Sequence, residues 1–100
     1  MSASTTFQLH RNAPGTLGVS GVLSFDTAAA ALAAIGAVLA AEPVARLDLA
    51  GVERGDSAGL ACLLAVQAEA RRLGRPLRVE HLPAGLRALA QVCEVESLIG

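Results

Sequence analysis

Leu47-Asp48-Leu49-Ala50-Gly51-Val52, followed after Glu53-Arg54-Gly55 by Asp56-Ser57-Ala58-Gly59-Leu60, is the stretch that decides the architecture. From Val44 to Ala50, the residues Ala45, Leu47 and Leu49 alternate with Val44, Arg46 and Asp48, the period of a strand with one core side. Gly51 is expected to end that strand, and Val52 to Gly55 reads as a loop. Asp56-Ser57 offers a side-chain oxygen to the first free N–H groups of a helix. Leu60, Leu63, Leu64 and Ala68 then form its apolar stripe, and Gly74 with Pro76 beyond closes it. A strand running directly into a helix is half of a βα crossover, so the flanking segments decide whether the pattern repeats.

They do. Towards the N-terminus, Phe7 and Leu9 alternate with Gln8 and His10, a turn follows at Asn12-Ala13-Pro14-Gly15, and Thr16 to Leu23 alternates again, which together predict a hairpin. Asp26 or Thr27 can cap a helix from Thr27 to Ala41, with Leu32, Ile35 and Leu39 as its larger residues and Glu42-Pro43 as its stop. Towards the C-terminus, Leu77, Val79 and His81 alternate with Arg78 and Glu80. Pro83 then opens a helix carrying Leu86, Leu89, Ala90 and Cys93 inward, and Leu98-Ile99 closes on the core. The predicted order β-β-α-β-α-β-α belongs to an α/β fold, a mixed sheet of about four strands whose later members are parallel. In such units every helix N-terminus lies on the carboxyl edge of the sheet, where these folds place their sites. Thr27, Ser57 and Pro83 should gather there.

The chain has 100 residues, which predicts one domain over 1–100, with 1–6 as a flexible lead. Its apolar fraction is 53 %, yet it holds two Phe and neither Trp nor Tyr, so Ala, Leu and Val supply the mean hydropathy of +0.52. So apolar a small chain is expected to leave a patch for a partner. The net charge of −1 and the even balance of charges speak against bulk attraction to nucleic acid or anionic lipid. Stacking on single strands also fails, because Phe7 and Phe25 both fall in strand-like settings. Cys62 and Cys93 show neither zinc spacing nor a disulfide framework and read as two reduced thiols used as small core residues. No signal peptide is visible, and the helix from Thr27 to Ala41 would span only about 22 Å against a hydrocarbon core of about 30 Å. No cofactor or metal set emerges; His10 and His81 lack ligand spacing to any carboxylate or thiol.

Gly55-Asp56-Ser57-Ala58-Gly59 also has the form G-x-S-x-G, the nucleophile elbow of α/β-hydrolases, with His81 and Glu80 or Glu94 as conceivable partners. Four strands and no oxyanion loop leave that chemistry without a scaffold. Capping by Asp56 or Ser57 accounts for the residues by itself. A phosphate on Ser57 would meet free N–H groups at the positive end of the helix while adding roughly −1.5 to −2 charge beside Asp56. Arg71, Arg72, Arg75 and Arg78 cluster near the end of the same helix, where cations suit its C-terminal dipole.

The central stretch resembles the core signature of STAS domains, the module of anti-sigma factor antagonists, sulfate-transporter tails and MlaB-type proteins. Gly21-Val22-Leu23-Ser24-Phe25-Asp26-Thr27-Ala28, Gly59 to Leu64 running on to Arg71-Arg72-Leu73-Gly74-Arg75-Pro76-Leu77, and Leu82 to Ala90 with Val95 to Ile99 are most similar to the MlaB branch. The resemblance extends over nearly the whole chain from Phe7. It implies a non-catalytic cytoplasmic subunit, peripheral to the inner membrane through its partner. That partner would be the ATPase of an ABC transporter moving phospholipid between the membranes of a Gram-negative envelope, in support of outer-membrane lipid asymmetry. The alternative it implies is an anti-sigma factor antagonist, switched when an anti-sigma factor kinase phosphorylates the residue matching Ser57. The implied contact edge holds Thr27, Asp56, Ser57, Ala58, Gly59 and Leu60. Two residues depart from the pattern: Gly55 stands where a bulky apolar residue is usual, which should loosen the loop, and Val66 stands where an aromatic is frequent.

Overall fold

The computed structural model describes residues 6–99, so the expected flexibility of residues 1–5 lies outside them. Thr6 lies within, and its carbonyl accepts from Val22 N at 2.9 Å. Strand β1 (Phe7–Ala13) pairs antiparallel with β2 (Thr16–Leu23), and the hairpin turns at Pro14-Gly15 as predicted. Helix α1 (Ala28–Ala41) leads to β3 (Arg46–Gly55), α2 (Ser57–Arg72) to β4 (Arg78–Glu80), and α3 (Ala84–Val92) to a short 3-10 turn (Glu96–Leu98). The sheet order is β1-β2-β3-β4, with β2, β3 and β4 parallel. This is the expected mixed four-stranded sheet in the expected element order.

The core lies between the sheet and its helices. Leu17, Val19, Leu23, Leu47 and Leu49 are almost fully buried against Ala31 and Ile35 of α1, Leu63 and Val66 of α2, and Leu86 of α3. The opposite sheet face is polar: His10 and Ser20 bond across β1 and β2 at 2.7 Å, and His81 Nδ1 lies 2.9 Å from Asp48 Oδ1. Arg75 donates to Leu39 O at 2.8 Å, satisfying the last turn of α1.

Several local expectations need correction. β3 does not stop at Gly51 but runs to Gly55, because two one-residue register shifts against β2 absorb the extra length. His81 is not in β4; it follows the strand with φ 57. Leu32 is half-buried while Ala31, Ile35 and Leu39 face the core. In α2 the buried stripe is rotated to include Val66, Gln67 and Ala70, whereas Ala68 is exposed, since the helix meets the sheet and both neighbouring helices. Of the two cysteines only Cys62 is a core residue; Cys93 is exposed beyond the end of α3. Gly74, φ +71, takes the left-handed position after α2 that its sequence context predicts.

Candidate docking site at the carboxyl edge

The extended course of β3 delivers Asp56 beside the bend that follows β2. Asp56 takes the N-cap of α2, with Oδ1 accepting from Gly59 N at 3.0 Å. Oδ2 accepts from Phe25 N at 3.1 Å, and Asp56 N donates to Leu23 O at 3.2 Å. One carboxylate therefore fastens two separate segments. The Gly59 hydrogen bond holds the Asp56 carboxyl below its ordinary range; partial desolvation opposes this and the Phe25 N–H reinforces it.

Capping falls to Asp56 and not to Ser57. Ser57 is the first helical residue, exposed, and its hydroxyl makes no hydrogen bond among the described residues. Thr27 stands at the N-cap of α1 without a side-chain capping bond. Its hydroxyl donates to Val22 O at 2.8 Å and accepts from Ser24 N at 2.9 Å, which fixes the bend from inside. Gly59 and Leu60 are buried. A Cβ on Gly59 would lie 2.1 Å from Leu23 O, so only glycine lets α2 approach the end of β2 this closely. Thr27, Gly59 and Leu60 thus build the edge from beneath, while Asp56, Ser57 and Ala58 reach its surface.

Gly55 does not leave a gap. A Cβ there would meet Leu86 Cδ2 at 2.7 Å, and Leu86 of α3 already fills that space.

Two depressions flank the edge. One, about 290 Å³, is lined by Ser24, Asp26, Arg54 and Asp56. The other, a groove of about 370 Å³, runs between α1 and α2 over Ala29, Leu32, Ala58, Ala61 and Ala65 and contains no charged side chain. Cys62 lines this groove, and burial pushes its thiol pKa up, away from reactivity. A larger hollow, about 430 Å³, lies beside the Arg11–Glu42 ion pair at the opposite end of the strands.

Sequence reasoning, which read Phe25 as strand-like, missed that it belongs here. It is not in a strand: it occupies the bend between β2 and α1 and is 83 % exposed. The turn formers Ser24, Asp26 and Thr27 around it were the available signal. Hydrolase geometry is absent, because His81 bonds Asp48, seven residues before Gly55. At strand rise that is on the order of 20 Å from Ser57. Among the described residues no cluster of three or more His, Cys, Asp or Glu could hold a metal ion, and no helix is long and apolar enough to cross a membrane.

The mixed four-stranded sheet and the element order β-β-α-β-α-β-α fit the class of STAS domains. Residues 6–100 match the family model described as Mlab, STAS domain, and the chain belongs to that family. The fold is shared with the anti-sigma factor antagonist SpoIIAA in its unphosphorylated form, at TM-score 0.63 and 18 % identity over 85 % of this chain and 81 % of that one. It is shared also with the Bacillus cell fate determinant SpoIIAA in its phosphorylated form, at TM-score 0.67 and 16 % identity over 94 % and 88 %. No curated protein matches the sequence.

Proposed function

We propose that this chain is a non-catalytic cytoplasmic subunit that docks, through the edge bearing Asp56, Ser57 and Ala58, onto the ATPase of an ABC transporter for intermembrane phospholipid transport. The observation that carries the reading is an apolar groove without charged lining residues, between α1 and the first turns of α2 beside Ser57, in a chain of the Mlab, STAS domain family. An apolar groove of this kind suits shape-matched docking to another protein. Through that partner the subunit works peripherally to the inner membrane and supports assembly or activity of the transporter. Co-expression with the ATPase is the test. The two should co-purify, and Ser57→Arg should abolish the complex without unfolding the subunit; undiminished binding by that variant would place the contact elsewhere.

A second reading is favoured by the exposed, unbonded Ser57 hydroxyl and by the shared fold with SpoIIAA in both phosphorylation states. In it, the chain is an anti-sigma factor antagonist released from its kinase when Ser57 is phosphorylated. Incubation with the cognate kinase and ATP would then add one phosphate, located by mass spectrometry at Ser57.

A further inference from the structure

Of the two aromatic rings in the chain, one stands almost wholly in water. Phe25 is 83 % exposed on a bend whose backbone is secured at several points. Thr27 Oγ1 accepts from Ser24 N, Thr27 N donates to Ser24 O at 3.0 Å, and Asp56 accepts from Phe25 N. A large apolar side chain on a loose loop could fold back onto nearby apolar surface. Here the backbone beneath it is fastened on both sides, so the ring is presented. Its neighbours in sequence line both depressions: Ser24 and Asp26 one, Ala28 and Ala29 the other. Phe25 therefore stands between residues that line a polar hollow and residues that line an apolar groove, its N–H tied to Asp56, the residue before Ser57.

We propose that Phe25 is the anchor by which this edge seats in its partner and that Asp56 is the positioning residue that holds it there. The proposal rests on the docking reading above and names its decisive side chain. Immobilised exposed aromatics supply large apolar area at small entropic cost on binding, which is why a few such residues dominate interfaces. The matching partner surface is an apolar socket for the ring with a basic side chain at its rim. Asp26 is exposed beside the ring and Asp56 lies within the same hollow, against the single cation Arg54, and neither α1 nor the first three turns of α2 carries a charge. A phosphate on Ser57 would act inside the subunit. Its charge would lie beside the Asp56 carboxylate that ties Phe25 N and Gly59 N.

The test uses the full chain and three variants, titrated against the purified ABC ATPase and, in parallel, against an anti-sigma factor kinase. Phe25→Ala removes a side chain that is in water and should leave the fold unchanged by circular dichroism. Asp56→Asn keeps one acceptor for the helix cap but cannot accept from both Gly59 N and Phe25 N. Each single variant should weaken binding at least tenfold, and the double variant should be no weaker than Phe25→Ala, because both remove one anchor. If the wild type binds the kinase and not the ATPase, and the same losses appear there, the anchor stands and the transporter reading falls. Binding of either partner unaffected by Phe25→Ala overturns the anchor; additive losses in the double variant overturn the role of Asp56. A wild-type chain that binds neither removes the docking edge and the anchor with it.

Discussion

Asp56 joins two segments of the edge through one side chain. Replacing it with Ala removes the cap of α2 and the tie to Phe25, and should cost about 1 to 2 kcal/mol in urea unfolding at pH 7. Its folded pKa is depressed. The stabilisation is therefore complete above the unfolded carboxyl value, about 4, and is lost as pH falls through the lower folded value. The gap in stability between wild type and Asp56→Ala should accordingly shrink below pH 4; a gap that stayed constant to pH 2 would remove the ionic part of the account. Gly59 is constrained by space. Gly59→Ala pushes a methyl against Leu23 O, which is backbone and cannot rotate aside, so about 3 kcal/mol or more should be lost. Capping by Asp56 or Ser57 was legible in the sequence because short polar side chains before a helix have one common use. The second bond, to Phe25 N, was not, because it joins residues 31 apart whose meeting depends on where β3 ends.

At the scale of elements, periodicity recovered β1 to β4 and α1 to α3, but neither their exact faces nor the 3-10 turn at Glu96–Leu98. α2 illustrates why. Its apolar residues are numerous enough that several stripes fit, and the choice is made by what packs around it: the sheet, α1 and α3. Gln67 is the informative misfit. It is buried, and its Nε2 has no hydrogen-bond partner among the described residues, a state that costs about 1 to 3 kcal/mol. Gln67→Met keeps the length without the amide and should raise the urea midpoint by the equivalent of about 1 kcal/mol. No change or a loss would mean that the amide is satisfied in solution. α1 is limited by a different residue: a Cβ at Gly36 meets nothing within 4 Å. Gly36→Ala should therefore add about 0.5 to 1 kcal/mol through the reduced entropy of the unfolded chain. β3 shows the limit of local reading in the other direction. Gly51 looks like a terminator, yet pairing with β2 carries the strand four residues further, because a register shift costs less than leaving the backbone groups of Val52 to Gly55 unpaired.

For the molecule as a whole, helices on one sheet face and polar residues on the other follow from two crossovers in the same direction. The docking proposed at the carboxyl edge and the α1/α2 groove would leave the open face uninvolved. Ala29→Glu, which puts a charge in the groove, should abolish partner binding with stability unchanged. His10→Ala and Arg78→Ala, on the open face, should leave binding within twofold. A pull-down with purified partner separates these cases, and loss of binding with the open-face pair would shift the contact surface to the sheet. Composition led to the expectation of an apolar surface patch, and the α1/α2 groove is one. It could not show where that surface lay, since the alanines that line the groove are the same residue type as those in the core.

The two register shifts in β3 have a further consequence. Between Leu49 and Gly55 the strand gains residues relative to β2 without moving Leu47 or Leu49 out of the core. The packing of the first half of β3 and the length that sets the height of the carboxyl edge are therefore only loosely coupled, with Val52 as the core residue between the two shifts. Insertion or deletion of one residue in that interval would raise or lower the edge while Leu47 and Leu49 keep their places, and the adjustment would fall on Val52 and on the contact of Gly55 with Leu86.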